Sequence, residues 1–257
     1  INYGMNFLTL SIITVVKNDE KNIEKTIKSV LNQKNIKLEY IVIDGNSSDK
    51  TLAIINNYKK NINKIISEND NGIYDAMNKG IINSTGDIIA FCNSGDFFYD
   101  NSLSKVTNLF NNKDLDYVFG SVLRNYMGGN QILKYNLNPN RIFYNFDFAT
   151  AHSTGFFLRR DVYKKIGYYN TKFECSADYD LYFRLIKKKY KGTVTGKKDI
   201  IGNVARGGKS SKVSFFNHIL EEAKIRLHNK QNSFVVLLIF INSIIKNPLK
   251  SFNINTK

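Results

Sequence analysis

Residues 38–60 read LEYIVIDGNSSDKTLAIINNYKK. An apolar run rich in β-branched side chains ends on a carboxylate, Asp44; a turn with a Ser or Asp cap follows, and the remainder has helical character. The same unit recurs on both sides. Upstream, LTLSIITVV (8–16) reads as a strand buried on both faces. KNDEKNIEKTIKSVLNQ (17–33) then places Ile23, Ile27, Val30 and Leu31 at helical spacing behind an Asn18 or Asp19 cap. Downstream, NKIISE (63–68) is a third strand, NGIYDAMNKGII (71–82) a third helix and GDIIAFCN (86–93) a fourth strand. Strands alternating with helices of this length predict parallel βαβ units in an open α/β sheet.

Such sheets bind ligands in the crevice beyond the carboxyl ends of their strands. Polar clusters fall at those ends: Thr14 to Asp19, Asp44 to Asp49, Glu68 to Asp75, and Asn93 to Asp96. Asp96, on the lip of FCNSGDFF (91–98), is therefore expected to belong to a shared site rather than to a local turn. Thr14 is expected to contact the bound nucleotide from the same rim.

The chain has 257 residues, 42% hydrophobic and 23% charged, enough for a substantial core. Two cysteines, Cys92 and Cys175, fit no zinc spacing and suit a reducing compartment; three scattered histidines disfavour a His-rich metal site. The net charge of +15 comes from basic residues spread along the chain rather than gathered in a stripe. Anionic small partners or a phospholipid surface are expected, not nucleic acid. Residues 1–4 are expected to be a remnant ahead of a natural start at Met5. The strand at 8–16 lacks the basic flank and cleavage site of a signal peptide.

After residue 100 the texture changes. SLSKVTNLFNN (102–112) is a helix, and DYVFGSVLRNYMGGNQILKYN (116–136) looks like two strands around a Gly-Gly-Asn turn. Aromatic-rich sequence leads to SADYDLYFRLIKKKY (176–190), a helix with Asp178 and Asp180 in its first turn. The expected organisation is one domain over residues 5–230, with a nucleotide-binding half (5–100) and an acceptor and catalytic half (101–230), then an apolar, basic tail (231–257). The tail's run from Phe234 to Ile241 is too short to span a bilayer, which takes about 20 apolar residues. It is open to reading as a buried helix, an interfacial membrane helix flanked by Lys246 and Lys250, or an oligomer contact.

Carboxylates at strand ends without Cys or His favour a hard cation, Mg2+ or Mn2+, completed by substrate phosphates. Asp96 is the expected metal ligand. Asp44 is placed to accept from a base or ribose, with Asp70 as a second nucleotide contact, whereas Asp49 reads as a helix cap and Tyr74 and Met77 as core. Asp178, at a helix start, is placed to take a proton from an attacking acceptor hydroxyl, kept ionised by the helix N-terminus. No G-x-G-x-x-G follows the first strand, and GNVARGGKSS (202–211) misses the phosphate-loop spacing. Arg206, Lys209 and Lys212 are instead expected to sit in a Gly-rich loop whose charges close over a diphosphate.

From LSIITVVKN, YIVIDGNSSDKT, ENDNGIYDAMNKGI, GDIIAFCNSGDFF, HSTGFFLRRDVYKKIGYYNTKF and SADYDLYFRL, in that order, the chain resembles glycosyltransferase family 2 over residues 7 to 212. The resemblance implies the GT-A fold, an α/β single domain with a mostly parallel central sheet flanked by helices. It also implies inverting transfer from a nucleotide-activated sugar, a UDP-sugar foremost, to a hydroxyl of a glycan or lipid-linked acceptor in bacterial-type surface polysaccharide synthesis. A cytoplasmic chain is expected, and its basic charge and apolar tail suit work at the inner face of the membrane. Carried onto this chain, it makes Asp44 and Asp70 nucleoside contacts, Asp96 the ligand of Mn2+ or Mg2+, and Asp178 the base. One departure stands out: Ser94 and Gly95 precede Asp96 where many relatives have two acidic residues. Asn93 is a weak helper there, and the reduced motif leaves a non-catalytic sugar-nucleotide or polysaccharide binding module as the alternative.

Overall fold

A computed structural model describes residues 8–126, 129–133, 143–144, 152–196, 198–205 and 213–248. Strand β1 (Thr9–Val16) lies inside a sheet, hydrogen-bonded on one side to β2 (Lys37–Asp44) and on the other to β4 (Ile88–Phe91), both parallel. Its alternation explains the position. Ile13 and Val15 enter one core layer, while Leu10, Ile12 and Val16 enter the other. Strand β3 (Lys64–Ser67) extends the sheet beyond β2.

Helices α1 (Ile23–Leu31), α2 (Thr51–Asn57) and α3 (Ile73–Asn83) connect these strands. Ile23, Ile27 and Val30 bury the apolar stripe of α1, as their spacing predicts. The expected cap differs, however. Helix α1 begins at Ile23 without a side-chain cap. Asn18 instead adopts a left-handed conformation (φ 51°), and the Asp19 carboxylate accepts from Asn22 Nδ2 and Ser94 Oγ at 2.6 Å each. Asp49 does serve the start of α2, its Oδ1 accepting from the Thr51 amide at 2.9 Å.

The second half adds β5 (Phe97–Phe98), α4 (Ser102–Leu109), β6 (Tyr117–Phe119), β7 (Ser121–Tyr126), β8 (Gly129–Leu133), β9 (Phe156–Arg159) and α5 (Arg160–Ile166). It continues with α6 (Ala177–Lys187), β10 (Gly192–Val194), β11 (Ile200–Val204), α7 (Phe215–His228) and α8 (Ser233–Lys246). The main sheet has the order β10-β6-β9-β4-β1-β2-β3, and β9 runs antiparallel to both its neighbours. A second sheet, β5-β11-β7-β8, stands beside it.

The sequence pattern misses this split. DYVFGSVLRNY reads as one strand but makes two, β6 in the main sheet and β7 in the second, which change over at Gly120. A Cβ on Gly120 would lie 2.3 Å from Ile201 Cδ1, so the crossing needs glycine. The change of sheet matters for the site, because β7 pairs with β11, β11 pairs with β5 just beyond the turn after β4, and the Ala205 amide at the end of β11 reaches Asp96 in that turn.

Candidate active site

The turns that follow β1 and β4 and the start of α6 enclose a cavity of about 830 Å³, within the range of small-ligand sites. Asp70, Asp96 and Asp178 all line it. The three come from separate stretches of chain, and the fold brings them together.

Asp96 closes the turn after β4. Its amide donates to Asn93 O at 2.9 Å, and its carbonyl accepts from Thr26 Oγ1 of α1 at 2.7 Å, which pins the turn to the first βαβ unit. The carboxylate is held at both oxygens: Oδ2 accepts from Thr154 Oγ1 at 2.5 Å and Oδ1 from the Ala205 amide at 2.8 Å. His152 Nδ1 stands 3.6 Å from Oδ2. Burial pushes the carboxyl up, while His152, Thr154, Ala205 and Arg124 pull the other way. Burial also lowers the pKa of His152, favouring the neutral imidazole.

Asp178 is built differently. It sits in the first turn of α6, where Oδ1 accepts from the Tyr179 amide at 2.8 Å and, more loosely, from the Tyr74 hydroxyl at 3.4 Å. The helix-terminal bond lowers its pKa, but burial outweighs it and raises the carboxyl to about 6, which leaves the acid largely ionised at neutral pH. Tyr74 is thus more than core. It stacks on Tyr169 at 5.5 Å and turns its hydroxyl to the acid.

Asp70 opens the turn before α3, its Oδ1 accepting from the Gly72 amide at 2.9 Å. A Cβ on Gly45 would lie 2.1 Å from Asp70 Oδ2, so the turn after β2 packs directly on this acid. Asp44 ends β2 fully buried and stays off the cavity wall, accepting from Ser47 Oγ and N and from Ser67 Oγ. Its described role is to fold the turn that supports Asp70. Thr14 is fully buried, its hydroxyl donates to Cys92 O at 2.8 Å and lies 3.0 Å from Tyr40 Oη, and it is not among the residues that line the cavity. Arg206, Lys209 and Lys212 lie outside the described residues. Gly202 belongs to β11, which removes any phosphate-loop reading of 202–211.

Among the described residues, no group of three or more His, Cys, Asp and Glu is placed to hold a metal. A site with few protein ligands does fit. Asn93 Oδ1 is buried with no hydrogen-bond partner, its Nδ2 donating to Ser153 Oγ at 3.0 Å, so the orphaned oxygen has a fixed orientation beside Asp96. One carboxylate, one amide oxygen and one neutral imidazole form a donor set suited to Mg2+ or Mn2+ with phosphate oxygens completing the shell.

Sequence reasoning missed His152, Thr154, Arg124 and Glu222 at the cavity or on Asp96. Two of the three histidines, His152 and His218, line the cavity. The signal available was HST, a His and a Thr two apart just before an apolar run, but nothing local shows that both side chains meet Asp96.

Against known proteins, the family model described as glycosyl transferase family 2 matches residues 11–167. The chain belongs to glycosyl transferase family 2. Its relatives in the family include an uncharacterized glycosyltransferase of Mycobacterium tuberculosis, 41% identical over 91 residues, 35% of each chain. The chain thus spans about a third of that relative's length. Among solved structures, S. aureus TarS 1-349 in complex with UDP-GlcNAc superposes with a TM-score of 0.70 at 18% identity, covering 93% of this chain and 73% of that one. Mannosyltransferase PcManGT from Pyrobaculum calidifontis, in complex with GDP-Man and Mn2+, gives 0.66 at 12% identity, covering 95% and 76%. The family-2 fold is therefore the GT-A arrangement: a mixed seven-stranded sheet flanked by helices, mostly parallel as expected, with antiparallel β9.

Proposed function

We propose that this family-2 chain is an inverting glycosyltransferase that moves a sugar from a nucleotide-diphosphate sugar to a hydroxyl of a glycan or lipid-linked acceptor. The observation that carries it is one cavity holding both an anchored carboxylate, Asp96, and a loosely held one, Asp178, whose pKa of about 6 suits a general base near neutrality. A UDP-sugar is the first donor to test, because the TarS structure holds UDP-GlcNAc and shares this fold.

In this reading the nucleoside lies over the turn from Asp44 to Asp70, and Asp70 is its direct contact. Lys17 and Arg124 line the same cavity and supply positive charge toward the diphosphate, joined from the 205–212 segment by Arg206 and Lys209. The acceptor hydroxyl approaches Asp178, which takes its proton as the oxygen attacks the anomeric carbon. Displacement in a single step from the face opposite the leaving group inverts that carbon. Asp96, with Asn93 Oδ1 and His152, would hold Mn2+ or Mg2+, as PcManGT is seen with Mn2+. Such a cation supplies charge stabilisation for a departing diphosphate.

Helix α8 supports an acceptor carried on a membrane. Phe234, Leu237, Leu238, Ile241 and Ile245 are exposed along one face, while Val236, Ile239 and Ser243 are buried on the other. No helix among the described residues is long and apolar enough to cross a bilayer. An exposed apolar face on a chain of net charge +15 suits an anionic lipid surface. Co-sedimentation with anionic but not zwitterionic vesicles, reduced by Leu237→Glu, is the expected result.

The deciding experiment is a screen of nucleotide sugars with and without Mn2+, reading release of nucleoside diphosphate. Release that requires Asp178 and Asp96 is expected. Turnover unchanged in Asp178→Asn would end this reading.

A further inference from the structure

Packing accounts for the ring of Tyr74 but not for its hydroxyl. The residue lies in the first turn of α3, lines the cavity with Asp178, and stacks its ring on Tyr169, centroids 5.5 Å apart and 27° from parallel. Phenylalanine would make the same stack. The hydroxyl goes instead to Asp178 Oδ1, 3.4 Å away. Burial and the neighbouring Asp178 charge hold the phenol pKa well above its ordinary value, so the group stays protonated and donates.

The scaffold around Tyr74 is fixed on both sides. Asp70 Oδ1 accepts from the Gly72 amide at 2.9 Å and Asp75 Oδ2 from the Asn71 amide at 3.0 Å, which ties down the turn that opens α3. One helical turn beyond Tyr74, Asn78 exchanges two bonds with the Tyr169 backbone: Nδ2 donates to the carbonyl at 2.9 Å and Oδ1 accepts from the amide at 3.0 Å. Phe91 meets the Tyr169 ring edge-on at 5.9 Å. Tyr74 and Asn78 thus grip the ring and the backbone of one residue, locking α3 to the segment that leads into α6. The phenol reaches Asp178 from a rigid support.

Among the described residues, the two bonds that Asp178 accepts, from the Tyr179 amide and from Tyr74, both fall on Oδ1. Oδ2 is then the oxygen left for an acceptor hydroxyl. One amide donor leaves a carboxylate free to swing about its side-chain bonds, whereas a second donor from another helix fixes which oxygen faces the cavity. Such hydrogen bonds are often long outside the reactive complex and tighten within it.

We infer that Tyr74 is a positioning residue: its hydroxyl holds Asp178 Oδ1 so that Oδ2 meets the acceptor, and it steadies the ionised acid that takes the proton. The inference rests on the transferase reading and adds to it a residue, on the helix that follows the Asp70 turn, that aims the base. The other titratable groups whose charges bear on this pair are His218, Glu221 and Glu222 of α7, Cys175 and Tyr169. Tyr74→Phe leaves all of them in place and keeps the stack.

The test uses the full chain labelled with 13C at the aspartate carboxyl carbons, the Asp178 signal being assigned by its loss in Asp178→Asn. Removing a donor to the ionised form raises a pKa, so the titration midpoint should move up by about 0.5–1 unit in Tyr74→Phe. Nucleoside diphosphate release, from whichever nucleotide sugar the wild type turns over fastest, should show its acid limb shifted by the same amount. Its plateau kcat should fall on the order of 3–10-fold, with the donor KM changed less than about twofold. The melting temperature should stay within about 3 °C. A midpoint unmoved or lowered in folded Tyr74→Phe overturns the proposal. So does a moved midpoint with unchanged kcat and pH profile, or a loss confined to the donor KM. A normal midpoint shift in a chain that turns over no nucleotide sugar would sink the transferase reading, and the role with it, while leaving the contact in place.

Discussion

Asp96 and Asp178 share a cavity, and burial raises the pKa of both, yet the protein treats them in opposite ways. Asp96 is clamped by a threonine hydroxyl and a backbone amide from two different strand-end loops and faces His152 and Arg124. Asp178 has one short bond, to the amide next to it, and one long bond to a tyrosine. A group that must hold a fixed charge benefits from a rigid shell, whereas a group that must gain and lose a proton works best when its two forms are close in energy. The contrast assigns holding to one acid and proton transfer to the other.

The largest expected effect separates them at once. Asp178→Asn should lower transfer by about 10²–10⁴-fold, the usual worth of a general base, while the protein becomes more stable. The sign follows from linkage. The folded pKa of about 6 lies above the ordinary 3.8, so ionisation costs stability above about pH 6, and that cost vanishes below about pH 4. Removing the charge should therefore stabilise the fold by about 1–3 kcal/mol at pH 7 and by nothing at pH 3.5, read by thermal melts.

Asp96→Ala should also abolish most transfer but with the opposite effect on stability. It strands the Thr154 hydroxyl and the Ala205 amide, at a cost of about 1–3 kcal/mol. Equal stability changes in the two variants would erase the distinction between the acids.

A smaller effect concerns pH. In the wild type, log(kcat/KM) should fall with unit slope below about pH 6, as Asp178 takes up the proton that disables it. A profile flat to pH 5 would remove Asp178 as the base. Thr154→Val tests the clamp alone. Losing one hydroxyl donor should weaken Mn2+-supported transfer several-fold, at about 1 kcal/mol, measured as the Mn2+ concentration for half-maximal rate. The smallest effect belongs to Thr14→Val, expected to cost about 1 kcal/mol of stability with UDP affinity unchanged by calorimetry, because this hydroxyl serves Tyr40 and Cys92 in the core.

Much of the first hundred residues was legible because βαβ units carry their own signals: apolar runs for the strands, periodic stripes for α1 and α3, and polar residues at the strand ends. The later half was harder to read. Strand β9 is four residues within an aromatic-rich stretch, and only pairing with β4 and β6 distinguishes it from a buried turn. Thr14 and Asp44 show the limit of reasoning from strand ends. Each is polar near the carboxyl end of its strand, but Thr14 turns into the core and Asp44 is consumed by Ser47 and Ser67. Asp19 reverses that lesson, since a residue read as a helix cap bonds Ser94 at the cavity.

What the sequence alone determined was the class of fold and the set of acids near one edge of a sheet, because alternation and strand-end polarity are local consequences of burying a pleated strand. Only tertiary structure decided which polar groups face the cavity, which are spent on neighbours, and which are left open. His152 meets Asp96 and Tyr74 meets Asp178 through contacts between residues far apart in the chain. Burial and hydrogen bonding in the folded state, rather than residue type, set what each acid can do.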